Sequence, residues 1–200
     1  DLSSLESGIS PEGLKAALSD AILHANDVIY TEASKHEEFY NMGTTVVALL
    51  LSGESGYIGH IGDSRAYKVA GGEVVQLTED HKLVYELYKR GQISLENMKV
   101  HPMRNAITRA LGTDADVSVD LYPISLSPGE VLLLCSDGLS DLVSSEHIGQ
   151  ISGNRELPLE ERADRLLQLA LLAGGDDNIT VALFELQDEV AGQSIKEWDS

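Results

Sequence analysis

The chain has 200 residues, of which 42% are hydrophobic, and 33 acidic residues against 14 lysines and arginines give a formal net charge of −19. This length suits one globular domain with a core of its own. Because so acidic a protein is repelled by nucleic-acid phosphates and by anionic lipid headgroups, we expect neither nucleic acid nor membrane as a partner.

Cysteine usage and hydropathy bear on the compartment of the protein. The single cysteine, Cys135, excludes a disulfide within the chain, which fits a reducing environment. No run of 18 apolar residues and no signal-peptide pattern occurs in the sequence. The sequence therefore predicts a cytoplasmic protein.

The chain opens on a polar segment and then becomes helical. Residues 1–9 are predicted to be loose, one domain is expected over 10–187, and a polar tail follows over 188–200. Ser10 has the character of a helix N-cap, and apolar residues at helical spacing predict an amphipathic helix over 11–34.

Strands follow this helix. Apolar, β-branched stretches separated by short turns predict strands over 44–51, 56–62, 64–70 and 73–77, and the short turns indicate hairpins. Further along the chain we expect a helix over 82–91, an irregular segment over 92–112, strands over 117–126 and 130–136, helices over 144–152 and 157–175, and a strand over 178–186. This order predicts an α+β domain, an antiparallel β-sandwich flanked by α-helices.

Three acidic residues lie at ends of predicted strands. Asp63 and Asp137 each follow an apolar strand, whereas Asp177 precedes one. Carboxylates converging from separate strands are the oxygen ligands that Mg²⁺ and Mn²⁺ prefer. An aspartate beside a strand is also a common turn former or N-cap, and Asp63 could accept a hydrogen bond from Arg65. Spacing alone leaves both interpretations open.

The histidines and the cysteine indicate neither a zinc site nor a cysteine nucleophile. His60 falls within a predicted strand, and His81 and His101 fall in loops, without the spacing of a zinc site. We expect each to be structural or solvated. Cys135 lies inside an apolar strand and is expected to be a small core residue rather than a nucleophile.

Several stretches together resemble the metal-dependent, type 2C family of protein serine/threonine phosphatases, in particular its bacterial single-domain branch. The stage II sporulation E phosphatases are a more distant resemblance. The matching stretches, in family order, are MGTTVVALL (42–50), GHIGDSRAY (59–67), LTEDHKLV (77–84), HPMRNAITRALG (101–112), LLLCSDGLSDLV (132–143) and GGDDNITVALF (174–184). Six motifs in order form a specific pattern, although any one of them alone is weak.

The resemblance implies a sandwich with helices outside and a binuclear Mn²⁺ or Mg²⁺ centre at one end. Asp137 and Asp177 match metal ligands of the family, and Asp63 matches an acid that helps to hold a third, weaker metal. Residues 85–105 match a variable flap, with Asn105 where the flap approaches that third metal. The implied reaction is attack of a metal-activated water on phosphoserine or phosphothreonine of a phosphoprotein, without a covalent intermediate.

One family segment has no counterpart in this sequence. The family opens with a phosphate-binding arginine and a DGMGGH-like stretch that contains a metal-bridging aspartate and a histidine, whereas the one Asp-Gly pair here is Asp137-Gly138. We therefore expect an N-terminally truncated fold. The chain is then either part of a working phosphatase or a catalytically impaired module with a binding or regulatory role.

This departure adds two expectations. Without a bridging carboxylate, the chain alone is expected to bind at most one metal weakly and to turn over slowly or not at all. Strands missing from a sheet leave exposed edges, which favour pairing with another chain. The sequence therefore predicts a homodimer through exposed sheet edges.

Overall fold

The computed structural model describes residues 10–186, which form two antiparallel sheets and six α-helices. The predicted loose segment 1–9 and polar tail 188–200 lie outside the described residues. The helices are α1 (Pro11–Lys35), α2 (Leu83–Lys89), α3 (Leu95–Val100), α4 (Asp137–Ser140), α5 (Ser145–Ser152) and α6 (Leu159–Leu172). The strands are β1 (Val46–Ser52), β2 (Ser55–Ile61), β3 (Arg65–Ala70), β4 (Glu73–Gln76), β5 (Asp120–Ser125), β6 (Val131–Cys135) and β7 (Val181–Glu185). The predicted α+β class is confirmed.

The seven strands divide into one sheet of order β1-β2-β5 and another of order β4-β3-β6-β7. Hairpins join β1 to β2 and β3 to β4, as the short turns predicted. The hairpin prediction is wrong for the link between β2 and β3, because these strands belong to different sheets. Gly62 in this link has a φ of 111°, a conformation that other residues rarely adopt, and it packs against Thr45. The chain thus crosses between the sheets at residues 62–64.

Helix α1 covers the three-stranded sheet. Ser10 caps the helix by accepting a hydrogen bond from the Gly13 N–H at 3.1 Å. Leu18 and Ile22, one turn apart on its buried face, pack with Ile61 of β2. Burial of this stripe holds α1 against the sheet, as its periodicity predicted.

Helices α4, α5 and α6 cover the four-stranded sheet. Their buried side chains, including Leu139, Ile148 and Leu166, pack against Tyr67 of β3 and Leu133 of β6. Cys135 belongs to the same core, and burial raises the pKa of its thiol to about 12. It is a core residue, as the sequence predicted, and not an activated thiolate.

The strand register brings three strand ends to one end of the sandwich. Arg65 pairs with Cys135, and Cys135 pairs with Val181, so β3 and β7 begin where β6 ends. The link 62–64 leads from the end of β2 to the same place. Asp63, Asp137 and Asp177 therefore share one end of the molecule.

Candidate metal centre

A hydroxyl group joins the segments that carry Asp137 and Asp177. Ser136 Oγ donates to the Asn178 carbonyl at 2.9 Å and accepts from the Thr180 N–H at 2.9 Å. The Ser136 N–H also donates to the Thr180 carbonyl. These bonds hold the start of α4 beside the segment that leads into β7.

Gly138 permits the close approach of these two segments. A Cβ atom at this position would lie 2.5 Å from the Asn178 carbonyl oxygen, well inside van der Waals contact. Glycine is needed here because a side chain would push the Asp177 segment away from α4. The sequence analysis did not single out Ser136, although it precedes Asp137 directly.

Asp137 lies in a cluster of carboxylates, which we call the aspartate cluster and which consists of Asp63, Asp137, Asp141 and Asp177. Partial burial raises the pKa of Asp137, and the charges of Asp63, Asp141 and Asp177 raise it further, while Lys82 partly offsets them. Asp141 was missed by the sequence analysis. Its spacing of four residues from Asp137 puts both on one face of a helical turn, which is the signal that was available.

Asp63 is paired with a lysine rather than with Arg65. Its Oδ2 lies 3.0 Å from Lys82 Nζ, and both side chains are buried. Arg65 instead forms a two-bond ion pair with Asp80, at 2.8 and 2.6 Å. Burial would lower the pKa of Lys82, but the charges of Asp63 and Asp141 outweigh it and raise that pKa. The ammonium group therefore already compensates Asp63.

The aspartate cluster fits a hard divalent cation best at Asp137 and Asp177. Asp177 is exposed, and its Oδ1 accepts from the Asn178 N–H at 2.7 Å, which restricts the orientation of the carboxylate. Asp137 carries a charge that its acidic neighbours disfavour. A bound cation relieves that repulsion, whereas Asp63 has its own cation in Lys82.

Asn105 lies beside this end of the molecule in the predicted flap segment 85–105, which contains α3 and most of α2. It lines a cleft of about 630 Å³ together with Asp141, a member of the aspartate cluster, and Lys82, which contacts Asp141. The Asn105 side chain is exposed. The cleft therefore leads away from the carboxylates along the flap.

A second polar group, which we call the histidine cluster, consists of His60, His81, Asp120 and Arg109. His81 Nδ1 accepts from the Gly62 N–H at 2.9 Å, so a neutral His81 carries its proton on Nε2, which lies 2.9 Å from Asp120. Arg109 donates to the other oxygen of Asp120 at 2.8 Å. Burial opposes ionisation of Asp120, but these hydrogen bonds outweigh it and lower its pKa.

His60 is the exception within the histidine cluster. It is fully buried, its ring centroid lies 4.8 Å from that of His81, and neither of its ring nitrogens has a hydrogen-bond partner. Burial and the neighbouring His81 lower the pKa of His60 to about 4. His60, His81 and Asp120 also bring ligand atoms within 4.8 Å of one another, which is compatible with a metal ion. Arg109 competes for the carboxylate there, so this cluster fits a cation less well than the aspartate cluster.

Comparisons with known proteins identify the family of the chain. The family model for protein phosphatase 2C matches residues 2–171. The serine/threonine phosphatase stp of Listeria monocytogenes serovar 1/2a is 37% identical over 177 residues, which are 88% of this chain and 70% of that protein.

Solved structures give the same result. The crystal structure of the serine/threonine phosphatase Stp1 from Staphylococcus aureus has a TM-score of 0.83 and 37% identity, and the match covers 90% of this chain and 70% of that one. The catalytic domain of the serine/threonine protein phosphatase PstP, solved with two manganese ions, has a TM-score of 0.79 and 36% identity, covering 94% and 77%.

Proposed function

Because this chain belongs to the protein phosphatase 2C family, we propose that it hydrolyses phosphoserine and phosphothreonine in phosphoproteins, with Mn²⁺ or Mg²⁺ bound at Asp137 and Asp177. The names of its relatives and the manganese bound to the PstP domain support this activity. The observation that carries the proposal is the convergence of Asp137 and Asp177 at one end of the sandwich, where the Ser136 hydroxyl bonds their two segments together. The raised pKa of Asp137 among three further carboxylates supports it. Such a group gains most from a divalent cation.

The residues around the aspartate cluster have defined tasks in this proposal. Ser136 and Gly138 set the spacing between Asp137 and Asp177. When bound there, a divalent cation lowers the pKa of a water ligand and neutralises charge on phosphoryl oxygens. The cleft that contains Asn105 is suited to chain flanking the phosphorylated residue, because it opens directly beside the cluster.

Phosphate release from a phosphothreonine peptide tests the proposal. We expect release by the 200-residue chain to require Mn²⁺ or Mg²⁺ and to fall at least about 100-fold in Asp137→Asn and Asp177→Asn. Asp164→Asn, an exposed aspartate on α6, is the matched control and should behave as the unmodified chain. Release that continues in excess chelator would contradict the metal-dependent mechanism.

The alternative of a catalytically impaired module receives no support from the comparisons, and the missing N-terminal motif stays a prediction. The same assay separates the two functions when bound Mn²⁺ is measured in parallel. A chain that binds Mn²⁺ through Asp137 but releases no phosphate would favour the binding or regulatory role. The expectation of at most one weakly bound metal is decided by the same count.

The remaining expectations about partners and location are proposals that experiments have to test. A homodimer through sheet edges is supported by the positions of β1 and β7 at the edges of their sheets, and light scattering at micromolar concentration measures it. Cytoplasmic location, the absence of nucleic-acid and membrane partners, the domain limits 10–187 and the sporulation relationship are proposals as well. Within residues 10–186, no helix is long and apolar enough to cross a bilayer.

A further inference from the structure

Lys82 is a buried lysine at the border of the aspartate cluster. It precedes α2, retains 6% of its surface, and points its ammonium group at Asp63 Oδ2 (3.0 Å) and at Asp141 Oδ2 (3.4 Å). A buried ammonium group is costly unless carboxylates compensate its charge. Its two acidic partners meet that requirement, and one of them is the buried Asp63.

The backbone on both sides of Lys82 fixes its position. The His81 N–H donates to the Gly62 carbonyl, and the Gly62 N–H donates to His81 Nδ1, so the lysine segment is bonded to the segment that carries Asp63. Lys82 also forms a β-bridge with Ile107. The lysine is therefore held beside Asp63 by the fold and does not reach it by chance from a mobile loop.

An ammonium group and a divalent cation compete for the same carboxylate oxygen. Lys82 Nζ lies at hydrogen-bonding distance from Asp63 Oδ2, so an ion bound to that oxygen would meet a fixed positive charge at close range. Asp137 and Asp177 have no such ion pair among the described residues. Within the aspartate cluster, Asp63 is thus already neutralised by the Lys82 ammonium group, whereas Asp137 and Asp177 are not.

We propose that the Lys82 ammonium group is a built-in cation that takes the place of a divalent ion at Asp63, so that divalent ions bind at Asp137 and Asp177 and Asp63 is not one of their ligands. This inference rests on the proposed function for the existence of the metal centre. It replaces the role that the family resemblance implied for Asp63.

Counting Mn²⁺ bound per chain, by equilibrium dialysis and elemental analysis, tests the proposal. We expect Asp63→Asn to bind as many Mn²⁺ ions as the unmodified chain. Lys82→Met keeps the aliphatic stem but removes the charge, and it should bind one additional Mn²⁺ per chain at millimolar Mn²⁺. The double variant Lys82→Met/Asp63→Asn should lose that additional ion.

The controls keep the result interpretable. Lys82→Arg retains the charge and should bind no additional ion, and Lys15→Met removes a charge from an exposed site on α1. Loss of one Mn²⁺ in Asp63→Asn would overturn the proposal, as would a folded Lys82→Met chain with an unchanged count. If Lys82→Met does not fold, Asp63→Asn alone decides.

Failure of the proposed function gives a different result. An unmodified chain that binds Mn²⁺ but releases no phosphate contradicts the activity and leaves the Lys82 result intact. A chain whose Mn²⁺ count does not change in Asp137→Asn contradicts the metal centre at Asp137, while the gain in Lys82→Met still tests the lysine.

Discussion

The histidine cluster and the aspartate cluster lie on neighbouring segments, yet their carboxylates are in opposite electrostatic states. Asp120 accepts hydrogen bonds from Arg109 and His81, and these lower its pKa although burial opposes them. Asp137 is half-buried among other acids, and its pKa is raised. In the histidine cluster the protein compensates the carboxylate with its own donors, whereas in the aspartate cluster compensation at Asp137 is incomplete.

This difference distinguishes a structural acid from a candidate ligand. Both are aspartates next to a strand, so sequence position alone does not separate them. A carboxylate with protein hydrogen-bond donors on both oxygens gains little from a metal ion, while one surrounded by carboxylates gains much. The variants below test the distinction from the largest expected effect to the smallest.

The largest expected change in the free energy of unfolding comes from His60 as the pH falls. In the folded protein His60 has a pKa of about 4 and stays neutral above that pH. In the unfolded chain the same histidine has its usual pKa of 6.5 and binds a proton once the pH falls below that value. The free energy of unfolding should therefore decrease as pH falls from 6.5 to 4, by up to about 3 kcal/mol. Urea unfolding of His60→Phe should lack this component.

The charged and titratable neighbours of His60 set the control for that experiment. His81 opposes its protonation, whereas Asp80 and Asp120 favour it, so the difference between the unmodified chain and His60→Phe isolates His60. His24→Phe, on the exposed face of α1, should keep the unmodified pH dependence. Equal slopes in all three proteins would show that His60 is not held neutral.

Gly138→Ala tests how closely the aspartate cluster is packed. The added methyl group meets the Asn178 carbonyl, so we expect a loss of about 2 kcal/mol in the free energy of unfolding and weaker Mn²⁺ binding. Denaturant unfolding and Mn²⁺ titration measure the two effects. Gly13→Ala inside α1 should be neutral or stabilising, since alanine is the better helix former. Unchanged Mn²⁺ affinity in Gly138→Ala would separate the glycine from the site.

Asp120→Asn should destabilise the protein by about 1 kcal/mol, because Arg109 and His81 lose a charged acceptor that is partly exposed to solvent. Chemical denaturation at neutral pH measures it, and Asp116→Asn, at an exposed neighbouring position, is the matched control. If Asp120→Asn were as stable as Asp116→Asn, Asp120 would not be a stabilising acid, and the two clusters would not differ as described.

Asp137→Asn should change the free energy of unfolding least, and it should raise that free energy rather than lower it. Without divalent ions, the substitution removes a carboxylate from among like charges, and we expect the free energy of unfolding to rise by about 0.5 kcal/mol. Saturating Mn²⁺ should reverse the order, since the unmodified chain then gains binding energy. Melting temperatures with chelator and with Mn²⁺ give both values. A destabilised variant in chelator would mean that Asp137 is structural, like Asp120.

Much of the fold was predictable because periodicity and turn chemistry are local. Helix α1 and the hairpins at β1-β2 and β3-β4 follow from such patterns, and two sheets were expected because the strands are many for one open sheet. The crossing at residues 62–64 was not predictable, because a short link of this kind serves a hairpin equally well. Its conformation depends on the contact between Gly62 and Thr45, which lie apart in sequence.

The candidate site was predictable in part. Strand ends pointed to Asp63, Asp137 and Asp177, and the family resemblance assigned their roles, which stay predictions. Lys82 gave no signal, since an isolated lysine before a helix is usually solvated. The contact between His60 and His81 also depends on the packing of β2 against a distant loop.

The Ser136 hydroxyl has a consequence for the order in which the molecule is assembled. It bonds to Asn178, 42 positions further along the chain, beside the last of the described strands. During synthesis, the sheet core around β3 and β6 emerges before β7, so the two carboxylates come together only when that strand docks. In the proposed centre, Mn²⁺ therefore binds only a chain in which β7 has docked, and a chelator is expected to lower the free energy of unfolding of the Mn²⁺-loaded protein.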